Sequence, residues 1–272
     1  MYTQVVDTVS PIRVNFKRHL MSKILFFDIE ISPIISYNWR LWQSDAIDIV
    51  EDWQILCFAY KWADEKRVHV VGQDDFPGWK AGVNDDEKVV KELRKLMDEA
   101  DVIVGHNGDG YDIKRANARM IVHKLTPPSP FRTVDTLKVS RKIAGFSSNK
   151  LASLVEQLDL GKKMDAGGIE VLKGVLKGVK KDWNHLKKYN KMDVTILEKL
   201  YYELLPWMSN HPSLAVLNDQ PEACPKCGGS HLRKGGFYVT KVGKYKRYQC
   251  LSCGGWTRGR KLHKEDVKFI SI

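Results

Sequence analysis

Residues 23–31 read KILFFDIEI, and this stretch decides the fold. Its apolar and aromatic residues spell a strand. Asp28 and Glu30 stand at i and i+2, so a strand points both to one face. Two ionised carboxylates side by side among Leu25, Phe26, Phe27, Ile29 and Ile31 are costly unless something neutralises them. A divalent cation does so. A strand that ends at Asp28, with both acids in water, is the structural alternative that the stretch by itself leaves open.

Further strands are expected at 54–61 (QILCFAYK) and 67–71 (RVHVV). Residues 32–53 between them read as a long connection carrying Tyr37, Trp39, Trp42 and Trp53, and the three tryptophans are expected in the core. Residues 85–99 form an amphipathic helix with Val89, Val90, Leu93, Leu96 and Met97 on one side. The segment DVIVGH (101–106) is a short buried strand, followed by a turn at 107–110 and a helix to about 122. Prolines 127, 128 and 130 interrupt the chain. A strand end follows at 132–135, then helices at 136–144 and 150–158. The glycine-rich 165–178 gives no clear assignment. Residues 182–205 form a long helix ended by Pro206. Strands first, then alternating helix and strand, imply an α/β sandwich around a mixed sheet. His106 reads as a structural residue at a strand end and Cys57 as a buried small hydrophobe.

Two more acids join the pair on the strand. In the long helix, Tyr189, Asp193, Ile196, Leu197 and Leu200 follow a helical stripe, so an acid falls on the core-facing side with a tyrosine one turn before it. Asp112 sits near a helix start, where an acid also suits the helix dipole, and Asp109 competes for that capping role. Carboxylate-only ligands with open positions suit Mg²⁺ or Mn²⁺. Two such ions about 4 Å apart clamp a phosphodiester. A neutral Tyr189 would orient the attacking water rather than deprotonate it.

The order D-I-E (Asp28, Ile29, Glu30), then H-N-x-x-x-Y-D (His106, Asn107, Tyr111, Asp112), then Y-x-x-x-D (Tyr189, Asp193) resembles the DEDD superfamily of 3′→5′ exonucleases. The tyrosine marks the DEDDy branch, which includes the proofreading domains of family B DNA polymerases. The resemblance spans about residues 22–207, and the tryptophan-rich segment looks like that of small stand-alone members, often phage-encoded. It implies a ribonuclease-H-like mixed sheet flanked by helices, a pair of Mg²⁺ or Mn²⁺ ions on Asp28, Glu30, Asp112 and Asp193, and hydrolysis from the 3′ end of single-stranded DNA. It also implies that Asn107 lies close to substrate. Ile31 stands where many members have a threonine that holds the terminal nucleotide, so only the backbone part of that contact is expected. The resulting division is an N-terminal extension (1–21), an exonuclease domain (22–208), a linker (209–221) and a C-terminal module (222–272).

The C-terminal module has its own signature. Cys224, Cys227, Cys250 and Cys253 follow C-x2-C-x22-C-x2-C, the pattern of a zinc ribbon holding one structural Zn²⁺. The segment between the pairs has hairpin character around Val242–Gly243. The chain of 272 residues carries a net charge of +11. From Glu222 onward there are 12 Lys/Arg and 3 Asp/Glu, a net +9, which leaves about +2 for the rest. Lys241, Lys244, Lys246 and Arg247 interleave with Tyr238, Tyr245 and Tyr248, and Arg258, Arg260 and Lys261 follow Trp256. Basic groups among aromatics suit single-stranded nucleic acid.

No apolar run reaches the roughly 20 residues of a membrane span, and the first residues lack a secretory core. Paired CxxC without such a signal reads as metal ligation in a reducing compartment, and the cytoplasm of a bacterial or phage-infected cell is expected. RNA in place of DNA, a structure-specific endonuclease on the same fold, and a non-catalytic nucleic-acid adaptor are the competing readings. An adaptor would be expected to have lost at least one of the four acids.

Overall fold

The computed structural model describes residues 22–264, apart from 41, 43, 44, 84 and 242. The N-terminal extension 1–21 and residues 265–272 of the C-terminal module lie outside the described residues. The chain runs through β1 (Ile24–Ile31), β2 (Ile35–Tyr37), β3 (Asp48–Glu51), β4 (Ile55–Trp62), β5 (His69–Gly72) and α1 (Glu87–Glu99). Then come β6 (Val102–Gly105), α2 (Asp112–Val122), β7 (Arg132–Asp135), α3 (Thr136–Ile143), α4 (Leu151–Gln157), α5 (Gly168–Leu176) and α6 (Lys180–Leu204). The chain closes with α7 (Leu214–Leu217), β8 (Leu232–Val239), β9 (Lys244–Cys250) and β10 (Trp256–Lys264).

The main sheet has the order β5-β4-β1-β6-β7. β1 is its central strand, antiparallel to β4 and parallel to β6, so the sheet is mixed. The period of two along β1 sorts its side chains into two layers. Leu25, Phe27 and Ile29 pack with Val89, Val90, Leu93 and Met97 of α1 and Ala116 and Met120 of α2. Ile24 and Phe26 pack on the other face with Val139 of α3, Leu154 of α4, and Val194, Leu197 and Leu200 of α6. Asp28 and Glu30 continue that second face toward the end of the strand. The register with β4 shifts between Glu30 and Ile31, and such irregularities at strand ends re-aim side chains beside sites.

α1 and α2 are tied to the sheet by a buried ion pair. Asp86 is wholly buried, accepts from the Ile55 amide at 2.8 Å and takes the Arg119 guanidinium at 2.7 and 2.8 Å.

The connection 32–53 departs from expectation. It holds the two-stranded hairpin β2–β3, and Trp39 and Trp42 are 82% and 97% exposed. A lone two-stranded ribbon has no interior in which to bury them. Trp53 does pack against the α1/α2 layer, as expected. The unassigned glycine-rich stretch contains α5, which packs on α6 and closes a third apolar cluster around Leu56, Val175 and Trp183.

Residues 213–227 fold against the far end of β1 and α6. Leu214 is buried and donates its amide to the Pro225 carbonyl at 2.8 Å, and the Ser22 amide donates to Asn218 Oδ1 at 2.7 Å. β8, β9 and β10 form a separate antiparallel sheet in the order β10-β9-β8. Among the described residues, no helix is long and apolar enough to cross a membrane.

Candidate active site

The C-terminal end of β1, the turn after β6, the start of α2 and the middle of α6 surround an open cleft of about 430 Å³. Asp28, Glu30, Ile31, Asn107, Asp112, Tyr189 and Asp193 all line it, together with His106, Tyr111 and Leu172. Each element has a local reason to deliver its residue. β1 carries Asp28 and Glu30 on the face that meets α6. On α6, Leu186, Asn190, Asp193, Val194 and Leu197 are buried together, so the apolar stripe that seats the helix also drives Asp193 inward.

Ligand oxygens of Asp28, Glu30 and Asp193 lie within 4.8 Å of one another. Asp112 lines the same cleft but stands outside that tight trio; its Oδ1 accepts the Ile29 amide at 3.2 Å. Asp109 does not contest the helix start, because its carboxylate pairs with Lys138 at 2.7 Å. Burial pushes the Asp28 carboxyl well above the usual carboxylate range, and the Asp112, Glu30 and Asp193 charges push it further. Glu30 is pushed up to about 8, by burial first and then by Asp193. Asp112 is pushed up to about 7 by burial, against the pull of the Ile29 amide. Crowded acids of this kind hold protons at neutral pH unless a cation replaces them.

Two side chains that sequence reasoning did not single out complete the site. Asn190 is fully buried on α6, and its Nδ2 donates to Asp28 Oδ2 at 2.7 Å and to the Asp28 carbonyl at 3.2 Å. A polar residue on the α6 core stripe, three before Asp193, was the visible signal for it. Lys163 reaches in from the loop between α4 and α5. Its Nζ lies 2.9 Å from Asp193 Oδ2 and also engages the Tyr189 hydroxyl. Nothing in the sequence marks Lys163, since a glycine-punctuated loop has no periodicity from which to read a facing direction. Burial pushes the Tyr189 hydroxyl up, so it stays protonated. His106 has both ring nitrogens engaged, by Thr136 Oγ1 at 3.0 Å and the Asn149 carbonyl at 3.1 Å. Asn107 carries a left-handed backbone (φ 66°) at the rim, and its amide is held by Asp135 Oδ1 at 3.0 Å. Ile31 lines the cleft at the end of β1 and also packs against the α1/α2 layer.

The donor set fits a hard divalent cation. All the converging ligand atoms are carboxylate oxygens, and Asp193 Oδ1 is buried with no hydrogen-bond partner. The second cluster fits a soft one. The Sγ atoms of Cys224 and Cys253 are 3.9 Å apart, and those of Cys227 and Cys250 are 3.6 Å apart. Disulfides are excluded at these separations. Tetrahedral thiolates about 2.3 Å from Zn²⁺ would stand about 3.8 Å from one another.

A mixed sheet with acids on its central strand, met by a further acid from a packed helix, defines a ribonuclease-H-like α/β protein of the nuclease class. A family model described as the RNase_H superfamily matches residues 52–205, more than half of the chain, and the chain belongs to that superfamily. The fold is also similar to that of the family B DNA polymerase from the hyperthermophilic archaeon Pyrobaculum calidifontis. That match has a TM-score of 0.51 and 19% identity, over 68% of this chain and 25% of that one. At such identity the likeness is one of fold, and the chain spans about a quarter of that polymerase's length. No curated protein sequence matches the chain.

Proposed function

We propose that the chain is a metal-dependent 3′→5′ exonuclease of the DEDDy type, acting on single-stranded DNA. One observation carries the reading: Asp28, Glu30 and Asp193 converge on a single point of an open cleft, with a buried Asp193 oxygen left without a partner. With Asp112 beside them, these acids would hold two Mg²⁺ or Mn²⁺ ions, which when bound activate water and stabilise the leaving 3′-oxygen.

The chain's own residues do the rest. Asn190 fixes the Asp28 carboxylate in one orientation. Tyr189, protonated and held by Lys163, presents a hydroxyl at the cleft wall that orients a water. The Lys163 ammonium offsets part of the negative charge that a phosphodiester would meet there. Ile31, through its backbone, and Asn107 line the cleft and would contact the terminal nucleotide there. Cys224, Cys227, Cys250 and Cys253 would hold one Zn²⁺ that folds the C-terminal sheet, and that basic sheet would add affinity for nucleic acid.

The test is digestion of 3′-labelled single-stranded DNA with Mg²⁺ or Mn²⁺, with parallel RNA of the same sequence. Mononucleotide release that stops in EDTA and is abolished in Asp193→Ala, with strand binding retained, is expected. Turnover at the wild-type rate in Asp193→Ala would overturn the site.

A further inference from the structure

The C-terminal sheet has two unlike faces. Along β9, Tyr245, Arg247 and Gln249 alternate with Lys244, Lys246 and Tyr248. Register places Tyr238 of β8 and Leu262 of β10 opposite Tyr245, Arg258 opposite Arg247, and Trp256 opposite Gln249. One face therefore gathers Tyr238, Tyr245, Arg247, Trp256 and Arg258.

These five form a ladder of guanidinium on ring. The Arg247 guanidinium lies 4.5 Å from the Trp256 ring centre, and that of Arg258 lies 4.2 Å from Tyr245 and 5.8 Å from Tyr238. Trp256 and Tyr238 remain 45% and 48% exposed. The backbone makes room for the ladder: a Cβ on Gly235 would sit 2.3 Å from the Trp256 ring. Between Ala223 and Lys264 the chain has 11 Lys/Arg and no Asp/Glu. Half-exposed rings flanked by guanidinium groups offer flat surfaces for bases and N–H edges for phosphates.

The sheet also stands well away from the cleft. Its four cysteines share an apolar cluster with Leu204, Leu205, Met208 and Leu214, and Lys226 donates to the Pro206 carbonyl. Eleven residues of helix separate Asp193 from Leu204, roughly 17 Å at 1.5 Å per residue. Six residues of extended chain, the last five in β1, separate Asp28 from Ser22, at most roughly 20 Å.

We infer that this ladder is a second binding site for the strand being degraded, engaging single-stranded nucleic acid upstream of the 3′ end seated in the cleft. The inference rests on the exonuclease reading for its geometry. At about 3.4 Å per stacked nucleotide, a strand needs at least about six nucleotides to reach from the cleft to the base of the sheet that carries the ladder. Substrates shorter than that occupy the cleft alone, and longer ones occupy both sites. Charge favours nucleic acid over a protein occupant of mixed sign, and the rings favour unpaired bases over duplex.

The test is binding of oligothymidylates of 4, 8, 12 and 20 nucleotides to the full zinc-loaded chain, with no Mg²⁺ or Mn²⁺ added so that cleavage is prevented and the zinc stays in place, for wild type and for the double variant Arg247→Ala/Arg258→Ala. Wild type is expected to gain at least ~10-fold in affinity between 4 and 12 nucleotides and little beyond. The double variant, with the same zinc content, is expected to lose that gain and to bind the 4-mer as before. Its salt slope on the 20-mer should fall by about 1.4, the loss of two single-strand phosphate contacts. Equal binding of the 20-mer by both proteins, or no length dependence in wild type, would overturn the inference. So would a poly-glutamate peptide that competes with the 12-mer as well as free oligothymidylate does, since that marks a surface for acidic protein. Cleavage of the 4-mer with Mn²⁺ reports on the cleft separately: if it is absent while the length dependence holds, the exonuclease reading fails and the second site stands.

Discussion

Asp28 shares its surroundings with Glu30, Asp112 and Asp193, and its one side-chain hydrogen-bond donor in the site is the Asn190 amide. That amide lets the carboxylate keep one orientation without supplying a charge. Asn190→Ala is therefore expected to weaken Mn²⁺ binding roughly 10–100-fold, the usual cost of losing a group that orients a metal ligand, while the melting profile without metal stays that of a folded protein. Calorimetric titration with Mn²⁺ measures it, and unchanged affinity would remove Asn190 from the site. The crowding of acids also has a consequence for stability. Glu30 and Asp112, raised to about 8 and about 7 in the folded chain, keep protons that the unfolded chain has already lost. Without added Mg²⁺ or Mn²⁺ the zinc-loaded folded state thus binds more protons between about pH 4.5 and 8, and stability falls as pH rises through that window. Melting temperature under these conditions should drop from pH 5 to pH 8.5. Mn²⁺ should restore it most at the alkaline end, where metal no longer competes with protons. A melting temperature without added Mg²⁺ or Mn²⁺ that climbs over this range would contradict the packing of the acids.

At the level of elements, β1 and α6 were legible because each announces its period. Apolar residues alternate around two acids in one, and a helical stripe runs through Asp193 in the other. The hairpin β2–β3 was not legible, because its apolar residues suggested burial and nothing local says that no layer covers a two-stranded ribbon. α5 was hidden by its glycines, which lower helix propensity, and forms because it packs on α6. Asp86 read as the start of a helix; its burial against Arg119 is a tertiary pairing between α1 and α2 that spacing cannot show. Lys163 is of the same kind, a loop residue given its role by the fold around it. The C-terminal sheet was legible from its cysteines, but its seating on the end of α6 was not. That seating makes a prediction. Cys250→Ser should abolish zinc binding and unfold the sheet, since metal supplies roughly 10–16 kcal/mol in small zinc modules. It should also lower the melting temperature of the rest of the chain, because the cysteines share an apolar cluster with Leu204 and Leu214. Cleavage of a 4-mer in a single turnover should persist at the wild-type rate below the new melting point.

For the molecule as a whole, chemistry and much of the positive charge stand at opposite ends of β1 and α6. The cleft is lined by acids, whereas the C-terminal sheet is basic. On the proposed reading, separating them would let the chain attract a polyanion without placing arginines where metals bind. The polymerase similarity and the superfamily membership establish the fold that makes this layout possible; the polarity of cleavage is the claim built on top of it. That claim is tested most directly by a time course on one single-stranded oligonucleotide labelled at either end, with Mn²⁺ and the full chain. The account predicts that the 3′ label appears at the earliest times as mononucleotide, while the 5′-labelled strand shortens one nucleotide at a time. Early internal fragments from both labels, or mononucleotide from the 5′ label first, would contradict it.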